Sequence, residues 1–167
     1  MNPEEFSALL QRLTAAAEAG DGEAFAACFT SNGVYHDYIY GDHTGRPDIA
    51  HMISDLFHRD AGEYRWEMFD PVCNGRIGYA WSLSSFTSKV PEFAGQFVVI
   101  DGMSRFELKE GLISDYCESV NGGVAMVQLG VNPQRMEKVL QRWSKQLQDR
   151  PAIRSFLARA RRSGPHA

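Results

Sequence analysis

The stretch Gly33-Val-Tyr-His-Asp-Tyr-Ile-Tyr40 decides how this chain folds, because it predicts a mostly aromatic and apolar strand over residues 34–40. One carboxylate, Asp37, lies in the middle of that strand. Burying an unpaired carboxylate costs several kcal/mol, so a sequence that keeps one there either pairs it or uses its raised pKa. Asp37 is therefore the first candidate for a functional residue.

Helices are predicted on both sides of this strand. Apolar residues at helical spacing indicate an amphipathic helix that ends at Gly20, and Asp21 then caps a short helix over residues 23–29. After the strand, Pro47 suits the first turn of a third helix, which ends near Asp60. The first third of the chain is thus mainly helical, with one strand inserted.

Four strands follow, separated by Asn74-Gly75, a loop near Pro91, and Lys109-Glu110-Gly111. They are predicted over residues 64–73, 77–88, 97–108 and 112–120. Successive short turns of this kind indicate an antiparallel meander. Together with the helices they predict an α+β fold, in which the helices cover one face of a strongly curved antiparallel sheet and enclose a pocket.

Length and charge describe the rest of the chain. At 167 residues it is long enough for one core and too short for two ordinary domains. The formal charge is −4, yet the segment from Pro133 onward carries nine Lys or Arg against Glu137 and Asp149. Apolar residues at helical spacing in this segment favour a helix that packs on the acidic body or on a second subunit over a nucleic-acid-binding arm.

Several classes of protein are not expected. No apolar run is long enough to cross a membrane, and the N-terminus lacks the layout of a signal peptide, which predicts a cytoplasmic location. Three scattered cysteines indicate neither a disulfide framework nor a zinc site. The sequence also lacks a phosphate-binding loop and a dinucleotide glycine motif, so no cofactor is expected.

Four short motifs, in this order, resemble the nuclear transport factor 2-like superfamily, and they are Ala-Gly-Asp-Gly at 19–22, Gly-Val-Tyr-His-Asp at 33–37, Thr-Gly-Arg at 44–46 and Phe-Glu-Leu-Lys-Glu-Gly-Leu-Ile at 106–113. This superfamily includes SnoaL-like polyketide cyclases, ketosteroid isomerases, scytalone dehydratases and limonene epoxide hydrolases. The resemblance covers residues 1–122 and implies a cone-shaped fold with a deep pocket, commonly in a homodimer or larger oligomer. Residues 123–167 form a predicted helical extension. The fold alone implies no reaction, because it supports many.

Comparison with the ketosteroid isomerases implies a base but no oxyanion hole. Asp37 corresponds to their catalytic carboxylate, whereas Leu13 and Gly102 occupy the two positions that stabilise the oxyanion. Neither side chain donates a hydrogen bond, and losing one such donor typically costs about 10²- to 10³-fold in rate. The resemblance therefore argues against the isomerase reaction, and Gly102 is kept only as a pocket-lining residue.

Comparison with the limonene epoxide hydrolases implies a second carboxylate. Glu118 corresponds to one of their pocket carboxylates and Tyr116 to an aromatic neighbour, but the strand Tyr79-Ala-Trp-Ser-Leu-Ser-Ser85 lacks the partner Arg and Asp. Strand alternation then predicts an aromatic and apolar lining. That lining consists of Tyr35, Tyr79, Trp81, Leu83 and Tyr116.

Structural roles compete with these functional ones. Asp37 could cap a strand end or pair with Arg46 or His36, and Glu118 could be a solvated carboxylate near a strand end. If both carboxylates face one pocket, each can raise the pKa of the other, so that one acts as acid and one as base. His43, in the predicted loop after the strand, is a further candidate for a proton shuttle.

The function predicted from the sequence is a cofactor-independent acid–base enzyme, which is a lyase, isomerase or cyclase. Its substrate is expected to be a small hydrophobic aromatic or polyketide-like compound, with lignin-derived phenolics among the compounds considered. Asp37 is the predicted base, while Glu118, Tyr35 or Tyr116 orients the substrate or returns the proton. The alternative is a non-catalytic ligand-binding or dimerisation module of the same fold.

Overall fold

The structure, a computed structural model, describes residues 1–160, and the chain forms two compact units, Met1–Gly130 and Val131–Ala167. The helices of the first unit are α1 (Pro3–Ala19), α2 (Gly22–Ala27), α3 (Arg46–His51), α4 (His58–Asp60) and α5 (Gly122–Gln128). A π-helical segment, Met52–Phe57, joins α3 to α4. The three predicted N-terminal helices are present, but the second ends at Ala27 and not at the predicted Phe29, which belongs to a strand.

Local sequence signals explain where α1 begins and ends. Asn2 and Glu5 form a reciprocal capping box at its start, with hydrogen bonds of 2.8 and 2.9 Å. Gly20 ends the helix in the left-handed region, at a φ of 70°, where a residue without Cβ is favoured. Asp21 then caps α2 by accepting from the backbone N–H of Ala24.

Six strands form the sheet of the first unit, and their bounds are β1 (Phe29–Asp37), β2 (Gly41–Thr44), β3 (Ala61–Cys73), β4 (Ile77–Ser88), β5 (Phe97–Lys109) and β6 (Leu112–Val120). The predicted bounds of β4 and β6 are the observed ones. The predicted strand over residues 34–40 is shifted: β1 begins at Phe29 and ends at Asp37, and the short β2 was missed.

The strand order is β2-β1-β6-β5-β4-β3. β3 to β6 form the predicted antiparallel meander, whereas β1 pairs with β6 in parallel. The sheet is therefore mixed. The antiparallel sheet predicted from the sequence did not include this parallel pair. Short turns specify hairpins, but a parallel pair between distant strands leaves no local signal.

One face of the sheet, here called the inner face, packs against α1 and carries Gly78, Phe106 and Tyr116. The ring of Phe6 in α1 lies edge-on to Phe106 with centroids 5.3 Å apart. A Cβ at Gly78 would overlap the Phe6 ring, so β4 needs its smallest residue at this contact. The buried core around it includes Leu9, Leu13, Phe25, Phe29, Ile49, Ile53 and Ile113.

The second unit consists of α6 (Pro133–Asp149) and α7 (Pro151–Ala160). Asn132 caps α6 by accepting from the backbone N–H of Arg135, and Pro151 begins α7, so this proline separates the two helices. A shallow groove of about 720 Å³ runs along α6 and is lined by residues of that helix. Among residues 1–160, no helix is both long enough and apolar enough to cross a membrane.

Candidate active site

Two carboxylates meet on the inner face because of the register between β1 and β6. Tyr35 pairs with Tyr116 across these parallel strands. Asp37 follows Tyr35 by two residues and Glu118 follows Tyr116 by two, so both carboxylates point to the same face and are neighbours. The structure brings together the two acidic residues that the sequence analysis selected.

Glu118 is the most perturbed carboxylate of this pair. Burial is the main cause that raises its pKa from 4.5 to about 7; a hydrogen bond from Tyr116 opposes the rise, and the negative charge of Asp37 adds a smaller contribution to it. The Tyr116 hydroxyl donates to Oε2 of Glu118 at 2.9 Å. A carboxyl group with a pKa near neutral pH can both take up and release a proton under physiological conditions.

Asp37 ends β1 and does not lie at its centre. Its Oδ1 accepts the backbone N–H groups of Ile39 and Tyr40, both at 2.7 Å, and so holds the turn into β2. Burial raises the pKa of Asp37, whereas these two hydrogen bonds and His43 oppose the rise. The predicted strand-end role is therefore present, but pairing with Arg46 is not, because the Arg46 Nε donates to the carbonyl oxygen of Phe29.

Aromatic rings surround the carboxylates. The rings of Tyr35 and Tyr116 stack with centroids 4.6 Å apart, and Trp66 lies edge-on to Tyr116. Burial, followed by the charge of Glu118 and other neighbours, raises the pKa of Tyr64 and Tyr116 above the ordinary value of 10. These hydroxyls therefore stay protonated at neutral pH and can donate hydrogen bonds, as Tyr116 does to Glu118.

A chain of hydroxyl groups leads from Glu118 into the sheet. Ser104, which is fully buried, lies 3.0 Å from the Tyr116 hydroxyl and 3.5 Å from Oγ of Ser82, and Ser82 donates to the carbonyl oxygen of Gly102. The sequence analysis missed Ser104. The position of Ser104 could have been found from the hairpin around the Lys109-Glu110-Gly111 turn, because this hairpin pairs residue 104 with residue 118.

His43 lies in β2 and not in a loop, as the sequence analysis expected. It pairs with Tyr35 in the register, so its side chain is on the inner face. His36 points to the opposite face and lies between Asp42 at 2.7 Å and Asp115 at 3.0 Å, so it does not pair with Asp37. Within the described residues, no group of three or more His, Cys, Asp or Glu side chains is arranged to hold a metal ion.

The predicted lining from β4 is wrong. Tyr79, Trp81 and Leu83 lie on the other side of the sheet, here called the outer face, and Tyr79 and Trp81 are 42% and 39% exposed. The prediction gave the aromatic positions of β4 to the inner face, but α1 packs there, and even a Cβ at Gly78 would overlap the ring of Phe6. Of the predicted lining residues, Tyr35, Tyr116 and Gly102 are on the inner face. A Cβ at Gly102 would lie 2.6 Å from Val120.

Sequence comparison identifies a family for the chain. Residues 10–116 match the profile of the SnoaL-like domain. This match covers Asp37, His43 and Tyr116 and ends two residues before Glu118. None of the curated protein sequences matches the chain.

Solved structures of similar fold were found at low sequence identity. A protein of ketosteroid isomerase-like fold from Catenulispora acidiphila, in complex with trimethylamine, is 15% identical, with a TM-score of 0.68 over 79% of this chain and 96% of that one. A candidate polyketide cyclase from Xanthomonas campestris is 20% identical, with a TM-score of 0.64 over 77% and 99%.

A further similar structure is an epoxide hydrolase of the limonene epoxide hydrolase type from Mycobacterium tuberculosis. It is 13% identical, with a TM-score of 0.62 over 76% of this chain and 90% of that one. At such identities these likenesses establish the cone-shaped α+β fold alone.

Proposed function

This chain belongs to the SnoaL-like family of the nuclear transport factor 2-like superfamily, and on that premise we propose that it is a cofactor-independent acid–base enzyme. The reaction would be that of a lyase, isomerase or cyclase. Similar structures include a candidate polyketide cyclase and an epoxide hydrolase, which supports an enzymatic role. The inner-face carboxylate pair is the site at which we expect the chemistry.

The observation that carries this proposal is the environment of Glu118. Its pKa is raised to about 7 by burial and by the neighbouring charge of Asp37. A group that titrates near the working pH transfers protons in both directions with the greatest efficiency. We therefore assign proton transfer to Glu118, and we assign Asp37 the role of the charged partner that keeps Glu118 basic.

Tyr116 and Tyr35 complete the proposed site. Tyr116 donates a hydrogen bond to Glu118 and so stabilises its ionised form. The Tyr116 hydroxyl is also hydrogen-bonded to the hydroxyl of Ser104. The stacked rings of Tyr35 and Tyr116 are almost fully buried and pack beside the two carboxylates, so the surroundings of the site are aromatic and apolar. This combination favours a small hydrophobic aromatic or polyketide-like substrate, including phenolic compounds.

The proposal is tested with labelled protein and with turnover. We expect a ¹³C NMR titration of the Glu118 carboxyl carbon to show a pKa near 7, and a pKa near 4.5 would contradict the proposal. Small aromatic ketones, phenols and polyketide-like compounds in D₂O would then be screened by ¹H NMR for proton exchange or product formation. For any compound converted, Glu118→Gln should lower the rate by about 10²- to 10⁴-fold.

The matched control for this test is Glu67→Gln. Glu67 is an exposed carboxylate that pairs with Leu83 on the outer face. We expect this variant to keep the wild-type rate. Equal rates for wild-type protein and Glu118→Gln would overturn the assignment of proton transfer to Glu118.

A ligand-binding module without catalysis is the second candidate. It is favoured by the structural role of Asp37, since Oδ1 is already bound to the backbone N–H groups of Ile39 and Tyr40. In that case a ligand would bind at the inner face with no chemical change. Binding of a compound that is never converted, together with a Glu118 pKa near 4.5, would favour this candidate.

We also propose that the protein forms a homodimer through the outer face. The apolar side chains exposed there include Tyr79, Trp81, Phe97, Val99 and Met103. Contiguous exposed apolar surface of this kind marks an interaction site. Arg105 and Glu107, ion-paired at 2.8 Å, place both charges on the same face, so two copies related by a two-fold axis could pair them reciprocally. A cytoplasmic location stays a prediction.

A further inference from the structure

His43 carries a buried nitrogen that has no hydrogen-bond partner. The residue is 7% exposed. Among the buried side-chain nitrogen and oxygen atoms of residues 1–160, its Nε2 is the one without a hydrogen-bond partner. Buried polar atoms in folded proteins are almost always hydrogen-bonded, and an exception requires an explanation. One such explanation is that this nitrogen forms its hydrogen bond with a bound ligand.

Asp48 determines which hydrogen-bonding role this nitrogen has. The Nδ1 of His43 lies 3.1 Å from Oδ1 of Asp48, and Oδ2 of Asp48 accepts the backbone N–H of Thr44 at 2.9 Å. These hydrogen bonds lower the pKa of Asp48, so it is ionised at neutral pH and can only accept. Nδ1 must then carry a proton, so in a ring that holds a single proton Nε2 is the acceptor.

The position of His43 places that acceptor at the proposed site. His43 pairs with Tyr35, and Tyr35 pairs with Tyr116, so the three side chains form one row on the inner face. Asp37 follows Tyr35 by two residues on β1, so its side chain lies on the same face as that of His43. The unpartnered nitrogen and the carboxylate pair therefore lie on the same face of neighbouring strands.

We propose that Nε2 of His43 accepts a hydrogen bond from a hydroxyl group of the ligand bound beside Asp37 and Glu118. Asp48 is then a positioning residue, since it touches the ligand only through the ring that it orients. This inference rests on the proposed function, because it takes the carboxylate pair as the ligand site. It narrows the ligand to a compound that bears a hydroxyl donor, such as a phenol or an enol.

Phenol and anisole provide a matched pair of probes, because they have similar aromatic bodies and only phenol has an O–H donor. Long-range ¹H–¹⁵N spectra of uniformly ¹⁵N-labelled protein report the protonation of each imidazole nitrogen. We expect the free protein to show His43 with a protonated Nδ1 and an unprotonated Nε2. Phenol should shift the Nε2 signal, whereas anisole should leave it unchanged.

The variant Asp48→Asn tests the positioning role. Without the ionised acceptor, neither tautomer of His43 is favoured, so the spectra should show protonation of both Nδ1 and Nε2. The affinity for phenol should fall by about tenfold. Asp42→Asn is the matched control, because it removes a carboxylate from His36 on the opposite face. That variant should alter the signals of His36 and leave those of His43 and the phenol affinity unchanged.

Two outcomes would overturn the inference. One is a His43 Nε2 signal that phenol does not move, as expected if a permanent water occupies this nitrogen. The other is a protonated Nε2 in the free protein. The Glu118 titration in the same samples separates a failure of the His43 inference from a failure of the proposed function. A Glu118 pKa near 7 would still support the acid–base site, even if His43 has no part in ligand binding.

Discussion

Asp37 and Glu118 are neighbours on parallel strands, although 80 residues separate them in the sequence. Each follows, by two residues, a tyrosine of the Tyr35–Tyr116 pair, and the charge of Asp37 raises the pKa of Glu118. Two like charges at this distance cannot both be ionised without cost, so the proton is held by the more deeply buried partner. This relationship makes the site an acid–base pair.

Asp37→Asn and Tyr116→Phe should move the Glu118 pKa in opposite directions. The asparagine removes the negative charge that disfavours ionised Glu118, so the pKa falls from about 7 toward 4.5. The phenylalanine removes the hydroxyl that donates to ionised Glu118, so the pKa rises. A ¹³C titration of the Glu118 carboxyl carbon measures both, and shifts of the same sign would contradict the described geometry.

Glu118→Gln should remove a pH dependence of stability. Because the folded pKa of about 7 lies above the unfolded value of about 4.5, protonated Glu118 stabilises the fold below pH 4.5 and this stabilisation is lost as the pH rises through 7. The full loss corresponds to about 3 kcal/mol, as an upper limit. The unfolding free energy of wild-type protein relative to the variant should therefore fall between pH 4 and pH 8.5, and a constant difference would contradict a buried Glu118.

His36→Gln should destabilise the protein more at pH 5.5 than at pH 8.5. Burial opposes the charged form of His36, but hydrogen bonds to Asp42 and Asp115 outweigh it and raise the pKa above 6.5. The stabilisation is thus complete below pH 6.5 and is lost as the pH rises through the raised pKa.

His36 is 33% exposed, so we expect an effect of no more than about 1 kcal/mol in urea unfolding. His51→Gln is the control, because His51 also pairs with an aspartate but lies on an exposed helix face. The control should show a smaller difference between the two pH values. An equal effect of His36→Gln at both would show that its histidinium form does not stabilise the strands.

Gly78→Ala should destabilise the fold by about 1–3 kcal/mol, as overpacking of a filled core does. The added methyl group would overlap the ring of Phe6. Phe6→Leu makes room at the same contact, so the double variant should be more stable than the sum of the single effects implies. Additive effects in urea unfolding would show that Phe6 does not limit the size of residue 78.

Trp81→Glu should convert the proposed dimer to a monomer. A charge in the middle of the outer face would have to be buried without a partner in the interface. Light scattering after size exclusion measures the mass directly. Ile39→Glu is the control, because Ile39 is an equally apolar exposed residue on the β1–β2 turn. A wild-type monomer, or a dimer that survives Trp81→Glu, would contradict the proposed interface.

Elements defined by local signals were predictable from the sequence. The Asn74-Gly75 and Lys109-Glu110-Gly111 turns predicted the bounds of β4 and β6 to the residue, and the predicted cap at Asp21 agrees with the observed start of α2. Turn and cap geometries depend on a few adjacent side chains. These elements can therefore be predicted from the local sequence alone, without knowledge of the tertiary structure.

The candidate site was predictable only in part. Asp37 and Glu118 were selected by resemblance, but the involvement of Ser104, Asp48 and Tyr64 depends on contacts between distant segments. The face of β4 was assigned wrongly, because large aromatic residues on alternate positions indicate a packed face in most strands. Here the packed face of β4 is the one with Gly78, since the Phe6 ring of α1 lies too close to this position for a larger side chain.

The sequence by itself determined the succession of helices and strands, the meander, and the placement of Asp37 in an aromatic strand, because short-range propensities and turns act within a few residues. Only the tertiary structure decided the parallel pairing of β1 with β6, and with it the neighbourhood of Asp37, Glu118 and His43. The free energy of that pairing comes from side chains far apart in the chain, and so does the burial that raises the Glu118 pKa to about 7.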